Sequence, residues 1–270
     1  MTDAPENDGP QRLDAALAQG AARSRTHAAR LIADGLVSVD GATILKPSFK
    51  VRPGSRIDVA GADHYVSRAA HKLIAGLDAF GLSVDGRNAL DVGASTGGFT
   101  QVLLERGARR VIALDVGHGQ LDAAVAADDR VVVVEGFNAR SMTPETLQAA
   151  AGETGSIDLV VGDLSFISLT MVIPALVETV GTAADFVLLI KPQFEVGRTG
   201  IREGIVRDAG LRNDAVCGVL WAAWDVGLGT AGIIPSPILG TTGNHEYVVH
   251  MSASGSNPTE WLERVSDLCA

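Results

Sequence analysis

Leu90-Asp91-Val92-Gly93-Ala94-Ser95-Thr96-Gly97-Gly98-Phe99-Thr100 is the stretch whose reading decides the fold. An apolar run ends in a glycine-rich loop, and a helical pattern begins directly behind it. Glycines let the chain turn tightly and bring backbone N–H groups close to a ligand at a helix start. A second apolar run ends at Asp115, 22 residues beyond Gly93. A carboxylate there can accept hydrogen bonds from both hydroxyls of a ribose.

Three ligand classes use this layout. A nucleotide P-loop needs Gly-x-x-x-x-Gly-Lys-Ser/Thr, which is absent, and a dinucleotide site prefers Gly-x-Gly-x-x-Gly. Gly93, Gly97 and Gly98 omit the first tight Gly-x-Gly. The pattern resembles the nucleoside end of a methyltransferase site. A dinucleotide enzyme and a loop without a ligand stay open on this stretch alone.

Outward from the loop the chain is regular. Apolar runs predict strands over 89–92, 110–115, 131–134, 157–161, 186–190, 231–234 and 247–251, with helical stretches between most of them. Alternation of this kind implies right-handed βαβ units and a parallel sheet covered on both faces. Short Val/Ile/Leu runs suit strands buried on both sides. The most membrane-like stretch, 217–234, is interrupted by Asp225 and crowded by Gly227, Gly229 and Gly232. It reads as a buried helix followed by a strand rather than a span.

Composition sets the outer limits. With 270 residues, 46% of them hydrophobic, the chain can build one large domain plus a small one and is not a disordered protein. Cys217 and Cys269 form no Cys-x-x-Cys pair, which excludes a disulfide scaffold and a cysteine zinc site. No metal constellation appears. The acidic, polar start lacks the basic and apolar regions of a secretory signal, and a reducing cytoplasm is the expected setting.

The net charge of -10 argues at first against a nucleic-acid partner, but its distribution does not. Residues 11–56 hold eight Lys/Arg and three Asp, a segment of +5 inside an acidic protein. That asymmetry fits a footprint for a polyanion as well as a solvated basic surface. Within it, 12–18 and 24–33 read as helices, Ser24 as an N-cap, and Gly35 as a stop. Strands over 36–39 and 56–59 follow, with turns at Asp40-Gly41 and Pro53-Gly54.

Polar residues stand at the ends of the later strands, where open α/β sheets place ligand sites. Asp163 follows the fourth strand, Lys191 the fifth, Glu246 begins the last, and Lys72 lies on a helix predicted over 68–80. Each has an ordinary alternative: a solvated lysine, a Lys-Pro turn, a helix cap, an edge charge. Together they suit transfer of a methyl group to a ribose hydroxyl, which needs a base to take the proton. A lysine amine is protonated at neutral pH, and a second cation with partial burial would lower its pKa. Lys191 is the expected base, with Lys72 depressing its pKa and placing the hydroxyl, and with Asp163 and Glu246 orienting the amines. His71 and His245 flank the set without assigned roles. Phe166 and Phe194 could stack a base, line the cofactor pocket or pack in the core.

Two resemblances extend this reading. Arg12-Leu13-Asp14, Ser24-Arg25, Ala28-Ala29, Ile32, Gly35, Val37, Val39-Asp40-Gly41, Lys46-Pro47-Ser48, Val51, Gly54 and Ile57 resemble the S4 RNA-binding domain. Asp14 opens its first helix and is expected to be structural, unlike the catalytic aspartate of the Arg-Leu-Asp motif in some pseudouridine synthases. The Lys–Asp–Lys–Glu order on the sheet resembles FtsJ-type RNA 2′-O-methyltransferases. With the S4-like segment in front, with Ser67 to Leu73 and with Ile190 to Glu195, the chain is similar to the TlyA family. One departure lies at the junction, where members often have a tryptophan and this chain has Tyr65.

The resemblance implies an α/β, Rossmann-like methyltransferase sheet with a small N-terminal α+β S4 domain. It implies a tail over 1–10, an S4-like domain over 11–61, a linker over 62–67, a methyltransferase domain over 68–254 and a C-terminal segment over 255–270. S-adenosylmethionine would be held by Asp91, Gly93, Ala94, Ser95, Thr96, Gly97, Gly98, Phe99, Thr100, Asp115, Asn138 and Asp163. Ribosomal RNA would be contacted by Arg12, Arg23, Arg25, Lys46, Lys50 and Arg68, and a cytidine ribose would be the target. The competing reading is an RNA-binding or haemolysin-like protein without methyltransferase turnover.

Overall fold

The computed structural model describes residues 9–19, 22, 24–33, 35–59, 64–153, 155–197, 200–201 and 203–270. Arg23, most of the expected tail, positions 60–61 of the expected S4-like domain and positions 62–63 of the expected linker lie outside the described residues. The chain divides into two compact units at His64/Tyr65.

The first unit runs β1 (Gln11–Arg12), α1 (Leu13–Leu17), α2 (Arg25–Ala33), β2 (Val37–Val39), β3 (Ala42–Thr43), β4 (Lys50–Val51) and β5 (Ile57–Val59). Ser24 caps α2, its Oγ accepting the His27 N–H at 3.1 Å. The Asp40-Gly41 turn has positive φ at both residues, 51° and 83°, as a tight hairpin between β2 and β3 requires. Leu13, Leu17, Ala28, Ile32 and Val37 form its core.

The second unit begins with α3 (Ala70–Phe80), two residues later than the sequence predicts. Then come β6 (Asn88–Val92), α4 (Gly98–Glu105), β7 (Arg110–Leu114), α5 (Ala123–Ala126), β8 (Val131–Val134), α6 (Pro144–Ala151), β9 (Leu159–Gly162), α7 (Leu169–Val180) and β10 (Asp185–Ile190). The chain finishes with α8 (Pro192–Glu195), α9 (Ala209–Trp224), β11 (Gly229–Pro235), β12 (Tyr247–Ser252) and α10 (Leu262–Cys269). The membrane-like stretch is indeed the end of α9 followed by β11. Among the described residues no helix is long and apolar enough to cross a membrane.

The seven strands are ordered β11-β12-β10-β9-β6-β7-β8. The five from β6 to β10 pair in parallel, while β12 runs antiparallel to both β10 and β11. Side chains alternate across a strand, so β6 sends Leu90 and Val92 to the side covered by α6, α7, α9 and α10. Ala89 faces the opposite side, against α3 and α4, and Asp91 shares that face. Each fully buried Val or Leu contributes ~1.5–3 kcal/mol of transfer free energy, which is why these runs are continuous rather than amphipathic.

Strand order reverses between β6 and β9, since β7 and β8 extend one way and β10 the other. A crevice opens at the strands' C-terminal ends at such a switch point. The segment from Tyr65 to Ser67, read from sequence as linker, packs with this unit, the Val66 N–H donating to Gln101 Oε1 on α4 at 2.8 Å. The expected C-terminal segment supplies α10, whose Cys269 carbonyl accepts from Arg212 on α9 at 2.6 Å.

Candidate active site

The glycine loop turns over the end of β6. The Gly93 and Ala94 N–H groups donate to the Leu114 carbonyl at 2.8 and 3.1 Å, pinning the loop to the end of β7. Gly93 has φ 82°, and a Cβ there would meet Leu164 Cδ2 at 3.0 Å and the Asp163 carbonyl at 3.5 Å. The loop therefore abuts the residues that follow β9, and its positive φ suits glycine. Asp115 stands beside it: its Oδ2 accepts from Ser95 N at 2.8 Å and its Oδ1 from Gly117 N at 2.7 Å. Two carboxylate oxygens have about four acceptor sites, so both keep capacity for ribose hydroxyls.

Beneath the loop lies Asp91, fully buried. Thr100 Oγ1 donates to its Oδ2 at 2.6 Å, while Oδ1 has no hydrogen-bond partner. Burial pushes its pKa up to about 7, against the opposing hydrogen bond from Thr100. Of the expected cofactor residues, Asp91, Phe99 and Thr100 are packed under the loop. Gly98 is pressed against the Ser67 side chain and the Ala70 backbone. Gly93, Ala94, Ser95, Thr96 and Gly97 form the turn itself. Asn138 follows β8, exposed, with its Oδ1 accepting from Arg140 N at 3.0 Å. An orphaned buried carboxyl oxygen, a glycine-walled crevice and a two-oxygen acceptor at the second strand fit a nucleoside cofactor of the S-adenosylmethionine kind.

The three polar residues at strand ends, Asp163, Lys191 and Glu246, converge with Lys72 of α3. Lys72 Nζ donates to Glu246 Oε2 at 2.7 Å and to Asp163 Oδ2 at 3.4 Å. Lys191 Nζ lies 2.6 Å from Asp163 Oδ1 and donates to Ser165 Oγ at 2.8 Å. The Lys72, Lys191 and Glu246 side chains are all under 10% exposed, so neither lysine is the solvated surface residue that sequence alone allows. Two cations and two carboxylates balance in charge, the condition for ionised groups to be tolerated inside a fold.

Local structure fixes each one. Lys72 is on the buried face of α3, which packs so closely on the sheet that a Cβ at Gly76 would meet Val248 at 2.7 Å. Glu246 precedes β12, and at Gly240 a Cβ would come within 2.5 Å of its Oε1. Asn244, almost fully buried, holds this turn by accepting from Val206 N at 3.0 Å and donating to the Gly204 carbonyl at 2.8 Å.

Three residues that the sequence reading passed over complete the set: Ser165, Gln193 and Glu195. Gln193 Nε2 donates to Glu246 Oε1 at 3.3 Å. Glu195 staples the loop after β9 to the loop after β10, accepting from Ser168 Oγ and from Leu169 N at the start of α7. Its burial raises its pKa. Phe166, between Ser165 and this staple, is 91% exposed and has φ 64°, a region costly for a bulky residue. Its ring is tilted on Phe194 at 5.2 Å, and Lys191 Nζ lies 5.9 Å from the Phe194 ring centre.

Comparison with known proteins decides the family. The family model for FtsJ-like methyltransferases matches residues 65–253 and that for S4 domains residues 11–57. The 16S/23S rRNA (cytidine-2′-O)-methyltransferase TlyA of Mycobacterium tuberculosis is 48% identical over 240 residues, 87% of each chain. The chain belongs to the TlyA family. Hemolysin A of Brachyspira hyodysenteriae is 39% identical over 233 residues, 86% of this chain and 95% of that one. A solved structure described as a hemolysin of Streptococcus thermophilus matches with TM-score 0.75 at 36% identity, covering 97% of this chain and 96% of that one.

In the S4 unit of this TlyA-family chain, the basic residues are not equivalent. Asp14 accepts from Arg12 Nε and Nη2, both at 2.9 Å, and from Arg25 Nη2 at 3.1 Å. These guanidinium groups hold its carboxyl well below the usual range, so Asp14 is a structural partner to two expected RNA contacts. Lys46 and Lys50 are exposed, and Lys50 pairs with Arg12 across the β1–β4 ladder, placing both side chains on one side. Arg68 lies in the other unit, donating to Thr241 Oγ1 at 3.1 Å.

Proposed function

We propose that this chain methylates the 2′-hydroxyl of a cytidine in ribosomal RNA, using S-adenosylmethionine. The observation that carries the reading is the convergence of Lys72, Asp163, Lys191 and Glu246 beside the Gly93 loop. The TlyA relatives and the basic S4 unit support the substrate class, and a ribosomal substrate supports a cytoplasmic reaction. When bound, the cofactor supplies an electrophilic methyl group on a cationic sulfur.

The chain's own part is to place the hydroxyl and receive its proton. Lys72 is held by two carboxylates, both through directed hydrogen bonds. Lys191 has one carboxylate neighbour and a neutral hydroxyl. It is therefore the lysine suited to accept the 2′-hydroxyl proton on its Nζ lone pair, as general base. Lys72 ties Glu246 and Asp163 together and so helps place the hydroxyl. Phe166, nearly bare and tilted on Phe194, offers a face on which an unstacked base can rest. In the S4 unit, Lys46, Lys50 and the Asp14-ordered Arg12 and Arg25 supply phosphate contacts that carry no sequence information.

The test is Lys191→Ala, assayed with ribosomal subunits and labelled cofactor. Turnover should fall by more than about 100-fold, with cofactor affinity retained. Near-wild-type methyl transfer would sink the assignment.

A further inference from the structure

We propose that Ser165 is a positioning residue for methyl transfer, its hydroxyl oxygen aiming the Lys191 amine. The inference rests on the reading of Lys191 as the base.

The argument begins with a difference between the two lysines. Both contacts of Lys72 to carboxylates have hydrogen-bond geometry. Lys191 Nζ comes within 2.6 Å of Asp163 Oδ1, but off the hydrogen-bond direction, and Oδ1 is left without a hydrogen-bond partner. The directed bond of Lys191 is the one to Ser165 Oγ at 2.8 Å. Asp163 thus supplies charge and Ser165 supplies direction.

That division suits a base. A neutral amine has two N–H donors and one lone pair, and the lone pair faces the hydroxyl only if the amine's rotation about Cε–Nζ is fixed. A carboxylate would fix it at the cost of favouring the ammonium form. A serine oxygen accepts from either form, so it orients the group without retaining the proton.

Ser165 is itself held for this purpose. It lies on the loop between β9 and α7, yet it does not cap α7, because Ser168 does, accepting from Thr170 N. The following residue, Phe166, takes positive φ, and two residues further on the Glu195 staple fastens the loop to the segment that carries Lys191. A strained residue between two anchors is kept only where the surroundings determine it, and here it turns Ser165 toward Lys191.

The experiment measures kcat, KM and the pH–rate profile for Ser165→Ala, Ser165→Thr and Ser165→Asp with unmethylated ribosomal subunits. Cofactor binding by calorimetry serves as the control for folding. Ser165→Ala should lower kcat roughly 10-fold, with KM and cofactor affinity within about twofold. Ser165→Thr should restore most of the rate, because it keeps the hydroxyl. Ser165→Asp should move the rising limb of the profile about one pH unit or more toward alkali. Wild-type kcat in Ser165→Ala, or equal loss in the Ala and Thr variants, overturns the proposal. Lys191→Ala in the same assay separates the two failures. If it is inactive while Ser165→Ala is fully active, only the positioning role is wrong. If Lys191→Ala is active, the base assignment is wrong and this proposal goes with it.

Discussion

Removing Lys72 should cost the fold nearly as much as it costs the reaction. In Lys72→Met, the Glu246 carboxylate, whose side chain is 2% exposed, keeps only the Gln193 amide at 3.3 Å. Stripping one partner from a buried ion pair costs ~3–5 kcal/mol, because the other charge stays buried. Glu246→Gln leaves Lys72 with Asp163 at 3.4 Å and should cost about 3 kcal/mol. The paired replacement removes both charges at once. Its loss should be smaller than the sum of the single losses by about 1.5 kcal/mol or more.

The three tryptophans, Trp221, Trp224 and Trp261, all lie in the second unit, so their fluorescence during urea unfolding reports on that unit alone. Lys72→Met should lower the midpoint by about 1–2 M urea, the double variant should recover part of that, and none of the three should methylate RNA. Losses that add to within ~0.5 kcal/mol would refute the view of the four residues as one charge-balanced unit.

Two further outcomes are expected. Asp91 titrates near 7 in the fold and at the ordinary carboxylate value when unfolded. Between these pH values the folded chain holds a proton that the unfolded chain has lost. Its contribution is full below the ordinary value and is lost as pH rises toward 7, up to ~4 kcal/mol. Asp91→Asn should flatten that dependence, measured as urea midpoints between about pH 5 and about pH 8, and an unchanged slope would count against it. Phe166→Ala should raise the KM for RNA about 10-fold, as loss of one base–aromatic stack of ~1–3 kcal/mol implies. Phe166→Trp should retain affinity, and an equal loss of cofactor binding in the Ala variant would place Phe166 in the cofactor pocket instead.

What was legible in the sequence was whatever repeats locally. The parallel strands are buried on both faces, so Leu159–Gly162 and Asp185–Ile190 announce themselves as apolar runs. Asp163, Lys191 and Glu246 were singled out because strand ends are where open sheets put their chemistry, and Lys72, on a helix, by its place in the family order. The strands Gln11–Arg12, Ala42–Thr43 and Lys50–Val51 are two residues each, too short for alternation to register. Ser165, Gln193 and Glu195 carry no local signal, since each acts through a partner more than 25 residues away. That Asp91 is buried beneath the loop with Thr100 donating to its Oδ2 had no signal in the sequence.

Lys72 and Glu246 bond across 174 positions, from the helix that opens the second unit to the strand that nearly closes it. Six of the seven strands of the sheet precede Glu246 in the chain, so the nearer carboxylate partner of Lys72 is made long after Asp163, its more distant one. A fragment ending before Glu246 would leave Lys72 with Asp163 at 3.4 Å as its carboxylate partner and the balance of two cations against two carboxylates broken.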